Sequence, residues 1–130
     1  MENYKKLVTE AFRFVVEDLN YNPSMIEKYF SKDYNQRVDG QELNFYGFCQ
    51  HMKVQKEALK NISLNFKTIA QENEVVFTNH IVTLQTKDER YAEIQVIAEF
   101  HIHKEKIIYC DELTHLLRGD DRERDFGSRH

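Results

Sequence analysis

Residues 92–103 read AEIQVIAEFHIH, and every second residue from Ala92 to Ile102 is apolar. This period of two is typical of a β-strand that buries one face. Residues 106–117, KIIYCDELTHLL, form a second largely apolar run after a short polar break. Together the two runs predict a closing antiparallel hairpin with one buried face.

The turn of this hairpin decides which side chains of its second strand are buried. If Lys104 and Glu105 form a two-residue turn, Ala98 lies opposite Asp111, and cross-strand partners project to the same side of a sheet. Asp111 is therefore expected on the buried face. A loop longer or shorter by one residue would reverse the face, and Glu112 would then take its place.

A carboxylate among apolar side chains is desolvated, which raises its pKa and suits it to act as a base near neutral pH. We therefore predict Asp111 as a catalytic base. Tyr109 and His115 share its predicted face and are candidates to donate to an enolate oxygen or to relay a proton. Core packing for Tyr109, a rim position for His115 and a structural hydrogen bond for Asp111 remain open alternatives.

The rest of the chain predicts helices first and strands afterwards. Helical spacing of apolar residues covers residues 3–19, a short segment beginning at Pro23, and residues 44–59. The segment YNQRVDGQ, residues 34–41, is polar and irregular, with a turn at Asp39-Gly40. Alternating patterns after residue 60 predict four successive antiparallel strands. The expected fold class is α+β, with three N-terminal helices packed on one face of an antiparallel sheet.

The composition limits the number of domains, the kinds of partner and the compartment that can be expected. The chain has 130 residues, of which 41% are hydrophobic and 31% charged, as expected for one soluble globular domain. We assign this domain to residues 1–118 and a charged tail to residues 119–130, in which Phe126 could contact a partner chain. The net charge of −4 argues against nucleic acid and anionic membranes as partners. Without a signal peptide or paired cysteine spacing, a reduced cytoplasmic protein is expected, and a secreted protein with one disulfide is the alternative.

The order of these elements resembles a known family. Helices, the polar segment YNQRVDG, the helix FYGFCQHM and a sheet ending in KIIYCDEL are similar to the SnoaL-like branch of the nuclear transport factor 2-like superfamily. The resemblance covers residues 4–117 and implies a cone-shaped fold in which a curved sheet wraps a helix-lined pocket. Members include polyketide cyclases, ketosteroid isomerases, epoxide hydrolases, dehydratases and non-catalytic binding proteins, so the site must decide the function.

The resemblance adds expectations about ligands and partners. It implies a pocket for a small apolar or carbonyl-containing ligand and, for SnoaL-like cyclases, an aspartate base without a cofactor. The candidate ligand-binding residues are Tyr34, Gln36, Arg37, His51, Asn79 and Phe100. It also implies a homodimer through the sheet face, for which the apolar residues expected on the outer side are Val76, Val82, Leu84, Ile97 and Ile108.

Three functions follow from these predictions. The preferred one is cofactor-free proton transfer by an isomerase, cyclase or dehydratase with Asp111 as base. A non-catalytic ligand-binding or dimerisation module is the second. The third is a metal-binding protein, because Glu99, His101 and His103 share the opposite face of their strand and His80 is expected on the neighbouring strand.

Overall fold

The structure, a computed structural model, describes residues 3–119. Helix α1 is Tyr4–Ala11 and continues as a π-helical turn at Phe12–Val16, α2 is Pro23–Tyr29, and α3 is Phe45–Ala58. The strands are β1 (Phe30–Val38), β2 (Gln41–Asn44), β3 (Leu59–Glu72), β4 (Val75–Thr86), β5 (Tyr91–His103) and β6 (Lys106–Gly119). The three helices and the four final antiparallel strands are as predicted, and the α+β fold class is confirmed.

The sheet has six strands in the order β2-β1-β6-β5-β4-β3. Strand β1 pairs in parallel with β6, and every other pairing is antiparallel, so the sheet is mixed. The expectation of an irregular segment after α2 was wrong, because residues 34–41 belong largely to β1 and to the start of β2. The turn at Asp39-Gly40 is confirmed, and both residues have a positive φ, of 50° and 85°.

Each helix begins at an asparagine whose side chain accepts a hydrogen bond from a backbone amide of the first turn. Asn3 accepts from the amide of Lys6, Asn22 from that of Met25 and Asn44 from that of Gly47. These caps satisfy N–H groups that have no partner within the helix. They explain why the helices start where the sequence signals place them.

The helices cover one face of the sheet and bury a single core. On β5 the inward residues are all buried, as the alternation predicts: Ala92, Ile94, Val96, Ala98, Phe100 and Ile102. Register shifts interrupt the pairing of β3 with β4 and of β5 with β6. Such bulges bend strands, so the sheet curves around the helices and leaves room for a cavity.

Strand β6 continues to Gly119, one residue past the predicted end of the domain, while the rest of the predicted tail, including Phe126, lies outside the described residues. None of the helices found within residues 3–119 has the length and apolarity needed to cross a bilayer.

A candidate active site in the concave sheet

A partly open cavity of about 100 Å³ lies between the inner sheet face and the helices. Its wall is mostly apolar, with aromatic rings from Phe12, Phe30, Phe48 and Phe100. Seven polar side chains also line it: Tyr34, Gln36, His51, Gln55, His80, Glu112 and Thr114. An apolar pocket with a few convergent polar groups is typical of a small-molecule site.

Glu112, and not Asp111, is the carboxylate that reaches this cavity. The turn at Lys104 and Glu105 forms as predicted, with φ of 51° and 63°. The pairing then shifts between Ile102 and His101, because Ile102 pairs with Ile107 but His101 pairs with Tyr109. This bulge adds one residue to β6 and reverses the face of every residue that follows. Ala98 therefore pairs with Glu112.

The three predicted catalytic residues lie on the outer face of the sheet. Asp111 pairs with Glu99 on one side and with Arg37 of β1 on the other, beside an outer groove. The ring of Tyr109 contacts that of His101, with 5.3 Å between centroids, and His115 is exposed. The predicted positions of Asp111, Tyr109 and His115 in the pocket were therefore wrong, and the bulge is the physical reason.

The surroundings of Glu112 favour the protonated form of its carboxyl group. Burial raises the pKa of Glu112 from 4.5 to about 7, with smaller contributions from the negative charges of Asp39 and Asp111, while the hydrogen bond from Cys110 lowers it. The Sγ of Cys110 donates to Oε1 of Glu112 over 3.5 Å. The backbone of Glu112 is held as well, because its carbonyl accepts from the amide of Asp39 at 2.9 Å. A carboxyl group with a pKa near 7 exchanges protons readily at neutral pH.

A second polar group in the cavity comes from β1. The hydroxyl of Tyr34 donates to Oε1 of Gln36 over 3.0 Å, and both side chains are buried. Burial raises the pKa of Tyr34 well above its usual value, and the neighbouring Cys110 and Glu112 add to this effect. Tyr34 therefore keeps its proton and can donate at neutral pH.

Of the six predicted ligand-binding residues, Tyr34, Gln36, His51 and Phe100 line the cavity. His51 is 4% exposed on α3, so it is a buried residue and not the half-exposed one that its helix position also allowed. That these four residues bind a ligand stays a prediction. Arg37 and Asn79 were wrongly placed in the pocket. Arg37 lies beside the outer groove, and Asn79 is on the outward side of β4, where it accepts a hydrogen bond from Gln95.

The side chains of β4 that were expected on the outer side of the sheet point inward. Thr86 and Arg90 are joined by backbone hydrogen bonding, so the β4–β5 loop has three residues and not the two expected at Asp88-Glu89. His80 consequently pairs with Val96 and points inward. The same reversal moves three of the residues expected at the outer face, Val76, Val82 and Leu84, to the inner side.

The metal-site hypothesis fails on this geometry. Its four residues were expected on one face, but His80 is 1% exposed in the interior while His103 is exposed on the other side of the sheet. Glu99 and His101 instead contact each other at 2.5 Å. Across residues 3–119, no group of three His, Cys, Asp or Glu side chains is placed to hold a metal ion.

His80 lies in an aromatic part of the wall. Its ring centroid is 5.1 Å from that of Phe12 and 5.2 Å from that of Phe66. Its Nδ1 is 2.9 Å from the hydroxyl of Thr78. Burial lowers the pKa of His80 to about 4, so the imidazole is neutral at physiological pH. The π-helical turn that presents Phe12 closes with a bond from the amide of Glu17 to the carbonyl of Phe12.

The sequence interpretation missed Gln55, Thr114 and the inward position of His80. Glu112 was available as the alternative to Asp111 if the register slipped by one residue. A bulge leaves no clear mark in the sequence, whereas polar residues within otherwise apolar strands were visible from the start.

No protein-family model matches the chain. An uncharacterized protein of Schizosaccharomyces pombe is 29% identical over 127 residues, which span 98% of this chain and 95% of that protein.

Solved structures with the same architecture have low sequence identity to the chain. AclR, a proposed hydroxylase from Streptomyces galilaeus, superposes with a TM-score of 0.72 at 18% identity, over 97% of this chain and 85% of its own. IdmH, a proposed polyketide cyclase from Streptomyces antibioticus, gives 0.72 at 11% identity, over 87% and 92%. An LEH-like epoxide hydrolase of M. tuberculosis gives 0.71 at 12% identity, over 85% and 80%. The chain therefore shares the fold of these structures, with the curved sheet and helix-lined cavity that the resemblance to the nuclear transport factor 2-like superfamily implied.

Proposed function

We propose that the protein is a small-molecule enzyme that transfers protons in the cavity, with Glu112 as the general base and acid. The observation that carries this proposal is the position of the Glu112 carboxyl group in a mostly apolar cavity, beside the buried Tyr34–Gln36 pair. The role first given to Asp111 thus passes to its neighbour. The proposed reactions are isomerisation, cyclisation or dehydration without a cofactor.

The chemistry assigns a different task to each group. Glu112 removes a proton from a carbon next to a carbonyl group and returns it to another position, for which a pKa near the working pH is best. The Tyr34 hydroxyl stays protonated, and by redirecting its hydrogen bond from Gln36 to a substrate oxygen it can stabilise negative charge that develops there. The surrounding aromatic and aliphatic side chains limit access of water. Fold neighbours described as a polyketide cyclase and an epoxide hydrolase support a small organic substrate.

Two measurements test this proposal. Carboxyl carbon NMR should show Glu112 titrating near pH 7, and a midpoint near 4.5 would remove it as base. Conversion of cyclohex-3-en-1-one to its conjugated isomer, followed by ultraviolet absorbance, serves as a proton-transfer probe. The Glu112→Gln variant should lose at least about a hundredfold in rate. Asp111→Asn is the matched control on the outer face and should retain most of the rate, whereas equal losses in both variants would contradict the assignment.

The second candidate is a non-catalytic binding protein with the same cavity. It is favoured by the size of the cavity, about 100 Å³, which is small for a substrate pocket. A ligand that co-purifies unchanged with the protein, together with a Glu112 midpoint near 4.5, would support this candidate over the enzyme.

A homodimer through the outer sheet face is part of the proposal. Three large apolar side chains are exposed there: Phe77 at 44%, Ile97 at 51% and Leu113 at 66%. Ile97 pairs with Leu113, and all three side chains line the same outer groove, so they form a contiguous patch of the kind found at interfaces. Sedimentation at micromolar concentration should show a dimer that Leu113→Asp converts to a monomer. A wild-type monomer would contradict the dimer.

We also propose a cytoplasmic location. Cys49 and Cys110 are both free thiols, one partly and one fully buried, as expected in a reducing compartment. Imaging of a fluorescent fusion in cells tests this directly.

A further inference from the structure

We propose that His80 is a ligand-binding residue, and that its Nε2 hydrogen-bonds the hydroxyl or carbonyl oxygen of a small, otherwise apolar molecule in the cavity. The inference rests on the proposed use of the cavity as a ligand site, and it does not depend on Glu112 acting as a base.

The hydrogen bonding of His80 accounts for one ring nitrogen only. Nδ1 is held by Thr78, which is not part of the cavity wall. The two ring nitrogens lie on opposite sides of one carbon atom, so the edge that carries Nε2 is turned away from Thr78. Among the hydrogen bonds of residues 3–119, none satisfies Nε2, although the side chain is 1% exposed and lines the cavity. A buried polar atom without a partner destabilises the protein, and a hydrogen bond to a ligand atom would recover this loss.

The surroundings of His80 define the rest of the ligand. Phe12 and Phe66 contact the imidazole, and Phe12 also contacts Phe100 with ring centroids 5.5 Å apart. These rings favour a flat apolar body beside the polar atom. The neutral state of the imidazole excludes recognition of an anion by charge.

The sheet register places His80 and Glu112 at two sides of the cavity. His80 pairs with Val96, Val96 pairs with Thr114, and Glu112 is two residues from Thr114 on the same face. With neighbouring strands about 4.8 Å apart, the two backbones are separated by about 12 Å, and both side chains extend into this space. A ligand held by His80 therefore presents its opposite end towards Glu112.

The test uses phenol and toluene, two probes of nearly equal shape that differ in one hydroxyl group. This group can donate or accept, so it suits either tautomer of His80. In the wild-type protein, nitrogen NMR at neutral pH should show the Nε2 resonance of His80 moving with phenol and not with toluene. In His80→Leu, phenol affinity should fall about tenfold while toluene affinity changes less than twofold. His80→Gln keeps polar atoms at this position and should recover part of the phenol affinity.

The role of His80 would be overturned if phenol and toluene moved the Nε2 resonance equally. It would also be overturned if His80→Leu lost the same factor in affinity for both probes. Failure of both probes to perturb any cavity residue up to about 10 mM would overturn it as well, because the cavity would then not bind the class of molecule proposed. The wild-type spectra decide the question even if His80→Leu does not fold. Phenol binding should persist in Glu112→Gln. Failure of Glu112 as the catalytic base and failure of His80 as a ligand-binding residue therefore give different results.

Discussion

Replacing Glu112 with glutamine should stabilise the protein in a pH-dependent way. Because the pKa of Glu112 rises from 4.5 in an ordinary setting to about 7 in the cavity, the folded protein binds a proton that the unfolded chain releases over this range. The contribution of protonated Glu112 to the stability of the wild-type protein is therefore complete below about pH 4.5 and is lost as the pH rises through 7. At 1.36 kcal/mol per pKa unit, the loss reaches about 3 kcal/mol above pH 7. Glutamine has the same shape and carries no charge, so it avoids this loss.

Urea unfolding of both proteins between about pH 4 and about pH 8.5 measures the effect. The gain of Glu112→Gln over wild type should be near zero at the acidic end, rise between 4.5 and 7, and level off at about 3 kcal/mol. The pKa of His80, lowered to about 4, gives a slope of opposite sign below its ordinary value of 6.5. This slope is common to both proteins and cancels in their difference. Glu105→Gln, in the exposed turn, is the matched control. A gain that does not vary with pH would refute the reasoning.

Three further substitutions test the frame of the cavity. Gly119→Ala should destabilise the protein by about 1–3 kcal/mol in urea unfolding, because φ is +126° there and an added Cβ would lie 2.3 Å from the carbonyl oxygen of Tyr91. Asp39→Ala should cost about 1–3 kcal/mol and speed hydrogen exchange at Thr114, whose amide and hydroxyl both donate to the Asp39 carboxylate. Phe12→Ala should cost about 3 kcal/mol and enlarge the cavity, seen as faster uptake of toluene, because its ring contacts three others.

The predicted strands β3 to β6 were found because alternation needs only local information. The inner face of β5 could be assigned in the same way, since all six of its inward residues are apolar. The faces of β4 and β6 could not, because each depends on a single residue in a loop or bulge. One extra residue in the β4–β5 loop turned His80 inward, and the extra residue at Ile108 replaced Asp111 with Glu112. Whether a segment forms a strand and which of its faces is buried are thus separate predictions. Only the first is secure when the pairing register of the strand is unknown.

Strand β1 escaped prediction for a different reason. Its inward residues include Tyr34 and Gln36, which are buried and face the cavity, so the expected alternation of apolar and polar residues is missing. Its neighbour β6 pairs with it in parallel, and this long-range contact leaves no local pattern. A polar segment between two helices then reads as a loop, although its polarity comes from lining a site.

The positions where the periodicity fails are largely the positions where the cavity is polar. Gln36 on β1, His80 on β4 and Glu112 on β6 each occupy an inward position at which an apolar residue would pack better. Burying such groups costs free energy, as the pKa shifts of His80 and Glu112 show. Three costly groups on three strands, all turned to one small cavity, are difficult to explain by packing alone. The conflict between local pattern and global fold is what a functional site is expected to produce, and it is the physical reason to test Glu112 and His80 first.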